Sequence, residues 1–147
     1  MTVHRHRFRV RYGESDQMGF VHHSVYLLYF EEGRTGLMRD LGRSYAELEK
    51  GGHLLPVTEA GLRFRSPGRY DEELTTETRV TEVTGARVRF DYRVLHADGS
   101  VAAEGWTVLA SCGRDGRPRR MDPGLRATLE GAVEATGTAA PAPVVQR

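Results

Sequence analysis

The sequence has few of the residues and segments on which several protein classes depend. Its one cysteine, Cys112, excludes an intrachain disulfide and a zinc site built from cysteines. The 21 Lys+Arg and 20 Asp+Glu nearly balance at +1, without the basic excess expected of a nucleic-acid-binding protein. No apolar run approaches the roughly 18–20 residues that cross a bilayer, and the polar N-terminus lacks the apolar stretch of a signal peptide. We therefore expect a cytoplasmic protein.

Short motifs of several enzyme classes are also missing. The sequence contains no G-x-S-x-G, P-loop, G-x-G-x-x-G or H-E-x-x-H pattern. Its 147 residues, 39% hydrophobic and 28% charged, are typical of one globular domain. We predict a single domain over residues 1–135 and a disordered Ala/Pro/Val-rich tail over residues 136–147.

Hydrophobic periodicity predicts an α+β domain with an antiparallel sheet. Alternation of apolar and polar residues predicts strands over His4–Tyr12, Leu55–Ser66, Leu74–Val83, Val88–Val94 and Val101–Cys112. A long helix is predicted from an N-cap at Ser24 to about Leu41, where Gly42 ends it. Shorter helices are predicted over Tyr45–Lys50 and Pro123–Ala132. Because the long helix is apolar on most sides, we expect the sheet to curl around it.

The polar loop before the long helix is the best candidate for chemistry. Unpaired N–H groups at a helix N-terminus carry roughly half a positive charge and stabilise a developing oxyanion. Asp16 lies on the loop that enters this helix, where a carboxylate would attack a bound carbonyl or take a proton from water. The alternative is structural, since Asp at such a position commonly caps a turn.

Two segments of the chain resemble one enzyme family. The first is Tyr12-x-x-x-Asp16-x-x-Gly19-x-Val21-x-His23-x-x-Tyr26 with Tyr29-Phe30-Glu31-x-x-Arg34, and the second runs from Phe64 to Leu74. Together they resemble the hotdog-fold acyl-CoA thioesterases of the 4-hydroxybenzoyl-CoA thioesterase family, and most closely its Tol–Pal-associated branch. The resemblance implies a hotdog fold, in which a curled five-stranded antiparallel sheet wraps around one long central helix.

The resemblance also implies roles for individual residues. Asp16 matches the catalytic aspartate, a nucleophile or general base, and the His23 backbone N–H matches the oxyanion donor. The side chains of His23 and Tyr12 match residues that orient water or the thioester, and Gly19 matches a glycine that lets the loop pass close to the substrate. The further substrate-binding candidates are His22, Tyr26 and, for the phosphates of CoA, Arg87.

The same resemblance implies an acyl-CoA substrate, no metal and no cofactor, and a homodimer or homotetramer with active sites between subunits. Three alternatives stay open. The substrate is carried by an acyl carrier protein, the chain binds acyl-CoA without catalysis, or Glu31 on the helix is the catalytic carboxylate. Glu31 and Arg34, three residues apart, are otherwise expected to form a pair on the helix surface.

Overall fold

A computed structural model describes residues 3–136 of the chain. In chain order, the helices and strands are β1 (His4–Arg9), α1 (Val25–Asp40), α2 (Tyr45–Lys50), β2 (Val57–Phe64), β3 (Glu73–Val83), β4 (Arg87–His96), β5 (Val101–Ala110) and α3 (Pro123–Thr136). A short 3-10 turn, Tyr12–Glu14, follows β1. Each predicted strand is present, although β1 ends at Arg9, three residues before the predicted end at Tyr12.

The five strands form one antiparallel sheet in the order β1-β3-β4-β5-β2. Turns join β3 to β4 and β4 to β5, so these strands pair with their sequence neighbours. In contrast, β2 pairs with β5 at the edge opposite β1. The chain that follows β2, residues 65–72, therefore crosses toward the other side of the sheet before β3 begins, and on its way it contacts the N-terminal end of α1.

α1 packs against β1, β3 and β4. Its Phe30 ring stacks on Tyr92 with the two centroids 4.3 Å apart. At Gly33 the helix lies so close to the sheet that a Cβ atom would be 2.4 Å from the Thr78 side-chain oxygen. The predicted ends of this helix are confirmed: Ser24 is the N-cap, and Gly42 follows the C-cap with φ of 76°.

The prediction of one long central helix is not confirmed, because α3 has 14 residues against 16 in α1. Leu125, Leu129 and Ala132 of α3 recur every three or four residues and are buried in the same core as α1. Thr136, where the disordered tail was predicted to start, is the last residue of α3, and residues 137–147 lie outside the described residues. The single-domain boundary stays a prediction.

The position of the Arg34 side chain differs from that expected for a surface pair with Glu31. Its side chain turns toward the sheet and lies beside the phenols of Tyr92 and Tyr45. Burial works against the charge of the guanidinium, but the neighbouring phenols outweigh it and raise the pKa of Arg34. Arg34 is therefore a half-buried cation that helps to join α1 to the sheet.

Candidate active site

The loop between β1 and α1 folds around the carboxylate of Asp16. Its Oδ1 accepts hydrogen bonds from the backbone N–H groups of Met18 (2.9 Å) and Phe20 (3.2 Å). Gly19, between them, has φ of 81°, a conformation that glycine adopts without steric cost. Asp16 therefore makes the hydrogen bonds of a turn cap, as the structural alternative expects. Asp16 Oδ2, however, has no hydrogen-bond partner among residues 3–136 and remains open to a ligand.

The entry into α1 leaves a backbone donor available. The His22 imidazole accepts the Ser24 N–H at Nδ1 (3.2 Å), and the same nitrogen lies 2.8 Å from the Ser24 hydroxyl. The N–H of His23, an exposed residue, has no acceptor within the described part of the chain. Because the amides at a helix N-terminus carry partial positive charge, this group can donate to an oxyanion.

Asp16 and His23 line the same cavity, which has a volume of about 300 Å³. One wall is the loop with the first turn of α1, and the other is the end of β2 with the residues that follow it. The lining residues are Asp16, Met18, Phe20, Val21, His23, Tyr26, Phe64, Arg65, Ser66 and Pro67. Apolar side chains from both walls thus surround a few polar groups, which is typical of a small-molecule site.

Contacts through Gly68 hold the two walls together. The Val21 N–H donates to the Gly68 carbonyl (2.8 Å), and the Gly68 N–H donates to the Tyr26 hydroxyl (3.2 Å). The Arg69 guanidinium lies over the Phe20 ring, 4.8 Å from its centroid. Burial raises the pKa of Tyr26, so its hydroxyl is neutral and keeps its proton while it accepts from Gly68.

Four of the predicted site residues do not line this cavity in the single chain: Tyr12, Gly19, His22 and Arg87. Tyr12 is 78% exposed, and its ring meets that of Tyr70 edge-on. His22 caps the start of α1, and its ring lies 4.1 Å from the ring of His23. Arg87 lines a separate cavity formed by side chains of β2, β3, β4 and β5. The roles of these residues in catalysis and substrate binding stay predictions.

The alternative carboxylate, Glu31, is exposed on α1 and lines a different groove with His4 and His6. It does not line the Asp16 cavity. Over residues 3–136, no three His, Cys, Asp or Glu side chains are placed to hold a metal ion. No helix in that part of the chain is long and apolar enough to cross a membrane.

The sequence reasoning missed the second wall of the cavity. Residues Phe64–Pro67 line it, and they open the second segment that carries the family resemblance. That segment was the available signal, but nothing in its local pattern indicates that it meets the Asp16 loop.

Residues 10–132 match the family model described as the thioesterase-like superfamily. The chain belongs to this superfamily. It is 35% identical to YneP of Bacillus subtilis over 102 residues, which are 69% of this chain and 74% of YneP. It is 28% identical to the acyl-CoA thioester hydrolase YbgC of Escherichia coli over 111 residues, 76% of this chain and 82% of YbgC.

Among solved structures, the DHNA-CoA thioesterase of Staphylococcus aureus superposes on this thioesterase-superfamily chain with a TM-score of 0.88. The two sequences are 28% identical, and the match covers 95% of this chain and 98% of the other. The hotdog architecture predicted from the sequence is thus confirmed for the five-stranded antiparallel sheet and its helices. The chain is an enzyme, a thioester hydrolase.

Proposed function

We propose that this enzyme is an acyl-CoA thioesterase, which hydrolyses a thioester to a carboxylic acid and free CoA. The observation that carries the proposal is that Asp16 and His23, whose N–H has no acceptor among residues 3–136, line one cavity. Thioester hydrolysis needs a base or nucleophile near the carbonyl carbon and a donor near the carbonyl oxygen. The names of the relatives support CoA as the thiol.

In the proposed reaction the thioester carbonyl lies between these two groups. Asp16 takes a proton from a water molecule that adds to the carbonyl carbon, or Oδ2 adds directly and the resulting anhydride is hydrolysed. The carbonyl oxygen becomes negative and accepts the His23 N–H. The C–S bond then breaks. In the general-base route the thiolate takes the proton that Asp16 removed from water, and in the nucleophilic route it leaves as thiolate, takes a proton from solvent, and water then hydrolyses the anhydride. The His23 ring, which forms no side-chain hydrogen bond with any described residue, orients the water.

We further assign the chain to the 4-hydroxybenzoyl-CoA thioesterase family and its Tol–Pal-associated branch, as a single domain over residues 1–135. The spacing of Tyr12, Asp16 and His23 supports this finer assignment. Gly19 and His22 belong to the same loop, and we propose that they shape the approach of the substrate.

We propose a homodimer or homotetramer as the active form. Large apolar side chains are exposed beside the cavity and on α1, including Met18 (70%), Tyr70 (54%) and Leu28 (54%). Apolar surface of this kind marks an area that a partner covers. The roles predicted for Tyr12 and Arg87 require a second subunit, because neither lines the cavity in one chain.

The test is thiol release from a panel of short aliphatic and aromatic acyl-CoAs. We expect Asp16→Asn to lower kcat by about 10²–10⁴-fold, the usual contribution of a general base. Glu31→Gln is the matched control, since it removes a carboxylate outside the cavity and should keep wild-type turnover. Wild-type turnover by Asp16→Asn would exclude the mechanism.

The same assay separates the alternatives. Faster thiol release from acyl carrier protein thioesters than from acyl-CoAs would assign the enzyme an acyl carrier protein substrate. Binding of acyl-CoA without release of thiol by the wild type would assign a binding function instead.

A further inference from the structure

Three side chains from separate parts of the chain form a continuous hydrogen-bonded row beside the cavity. Ser66 follows β2, Glu72 precedes β3 and His96 ends β4. Ser66 Oγ lies 2.8 Å from His96 Nε2, and His96 Nδ1 contacts Glu72 Oε2. Ser66 also lines the cavity. This order of groups is that of a serine–histidine–acid triad.

The proton positions distinguish this row from a nucleophilic triad. Ser66 Oγ also donates to the Val101 carbonyl (2.8 Å), which can only accept. Since a hydroxyl has one proton, His96 must then donate to Ser66 from Nε2. An ionised Glu72 carboxylate can only accept, so Nδ1 then also carries a proton. With Glu72 ionised, all three contacts are satisfied together only when His96 is a doubly protonated cation.

The two acidic groups around His96 favour this form, and one basic group opposes it. Glu72 and Asp98 are acidic, Arg69 is basic, and the three line one surface groove with His96. The second oxygen of Glu72 accepts the Arg69 backbone N–H (3.1 Å), which fixes the carboxylate. Hydrogen bonds from Ser100 lower the pKa of Asp98, so it stays negative. The side chains of His96 and Glu72 are only 15% and 27% exposed, so water screens their contact weakly.

This row supports the wall of the cavity that the β2 end provides. Ser66 and Pro67 line the cavity, and the next residue, Gly68, bonds to Val21 and Tyr26 of the opposite wall. A shift of Ser66 therefore changes the distance between the walls, and with it the space next to the Asp16 loop.

We propose that Ser66, Glu72 and protonated His96 form a positioning network for the acyl site. The network holds the β2-end wall at its distance from the start of α1 and so sets the width of the cavity. His96 and Glu72 are positioning residues, because neither lines the cavity. The proposal rests on the function proposed above for this cavity.

The kinetic test compares the pH dependence of KM and kcat for the best acyl-CoA. Histidine side chains lose a proton near neutral pH, so we expect KM of the wild type to rise with pH while kcat changes less. His96→Gln should raise KM about tenfold at the acid end, a loss of about 1.4 kcal/mol of binding, and remove its pH dependence. His6→Gln, which breaks a histidine–carboxylate contact to Glu32 (3.1 Å) outside the cavity, should keep the wild-type profile.

Ser66→Ala provides a second variant that removes only one hydroxyl group. It should also raise KM and flatten its pH dependence. If His96→Gln folds and keeps the wild-type KM profile, or if Ser66→Ala does so, the proposal is wrong.

A spectroscopic test is independent of activity. Nitrogen-15 NMR of the histidine rings over a pH series should show that His96 keeps protons on both ring nitrogens to a higher pH in the wild type than in Glu72→Gln, because the variant lacks the adjacent carboxylate. Loss of the second ring proton at the same pH in both proteins would overturn the network. If His96 is doubly protonated but Asp16→Asn keeps full turnover, the network stands and the catalytic assignment of Asp16 is wrong.

Discussion

Asp16 has two roles in our proposal, and two substitutions separate them. Its Oδ1 accepts two backbone hydrogen bonds that close the turn, while Oδ2 is left for the reaction. Asp16→Ala removes both roles, whereas Asp16→Asn keeps an acceptor at Oδ1 and loses the charge. The two variants should therefore lose activity alike but differ in stability.

The magnitude follows from the hydrogen bonds. Each contributes a net 0.5–1.5 kcal/mol, so we expect Asp16→Ala to lower the free energy of unfolding by roughly 1–3 kcal/mol. Asp16→Asn should lower it by less than about 1 kcal/mol, because both N–H groups keep an acceptor. Both variants should lose about 10²–10⁴-fold in kcat.

Urea denaturation gives the stability difference, and thiol release from acyl-CoA gives kcat. Asp115→Ala is the matched control, because Asp115 Oδ1 caps another turn through the Arg117 N–H (3.0 Å) outside the cavity. It should lower stability slightly and leave kcat unchanged. Equal urea midpoints for Asp16→Ala and Asp16→Asn would refute the turn role, and an Asp16→Ala variant with wild-type kcat would refute the catalytic role.

Three further predictions concern the packing and charge that support the site. Gly33→Ala should lower the free energy of unfolding by about 1–3 kcal/mol in a urea titration, because its Cβ would meet the buried Thr78 side chain; wild-type stability would contradict this. Tyr26→Phe leaves a buried N–H without its acceptor, so it should cost about 1–3 kcal/mol in the same assay and raise KM more than it lowers kcat. Burial acts to raise the pKa of Glu77, but the hydrogen bonds and charges of Arg93 and Arg5 together outweigh it and lower that pKa, so the stabilisation by Glu77 is present above pH 4.5 and is lost as pH falls below that value. Glu77→Gln should reduce the fall of Tm below pH 4.5 in thermal melts. An unchanged fall in the variant would contradict the assignment.

Elements whose signals are local could be predicted from the sequence. α1 begins after Ser24 and ends before Gly42 because capping depends on residues next to the helix end. Strand alternation is equally local. The partner of β2 could not be predicted, because periodicity indicates a strand and its buried face but not the strand beside it. β2 pairs with β5, whose paired residues lie 39 to 52 positions further along the chain, and that pairing directs the crossing segment past α1.

Within the site, too, the residues with local sequence signals could be predicted and the others could not. Asp16 and His23 were found because both lie on one loop next to one helix end. The opposite wall was missed because it comes from β2, and its support at His96 comes from β4, so only the folded sheet brings them together.

Arg34 was misread for a related reason. Spacing on a helix identifies a neighbour at i−3, Glu31, but it does not show that phenols from elsewhere in the chain receive the guanidinium.

The turn-capping and catalytic interpretations of Asp16 are compatible, because a carboxylate has two oxygens. The N–H groups of Met18 and Phe20 fix Oδ1, and this restricts the rotation of the side chain. A restricted carboxylate loses less conformational entropy when its other oxygen engages water or a carbonyl carbon. The turn is therefore part of the preorganisation of the site. A loop sequence that specifies the turn through Asp16 and Gly19 specifies the direction of the reactive oxygen as well.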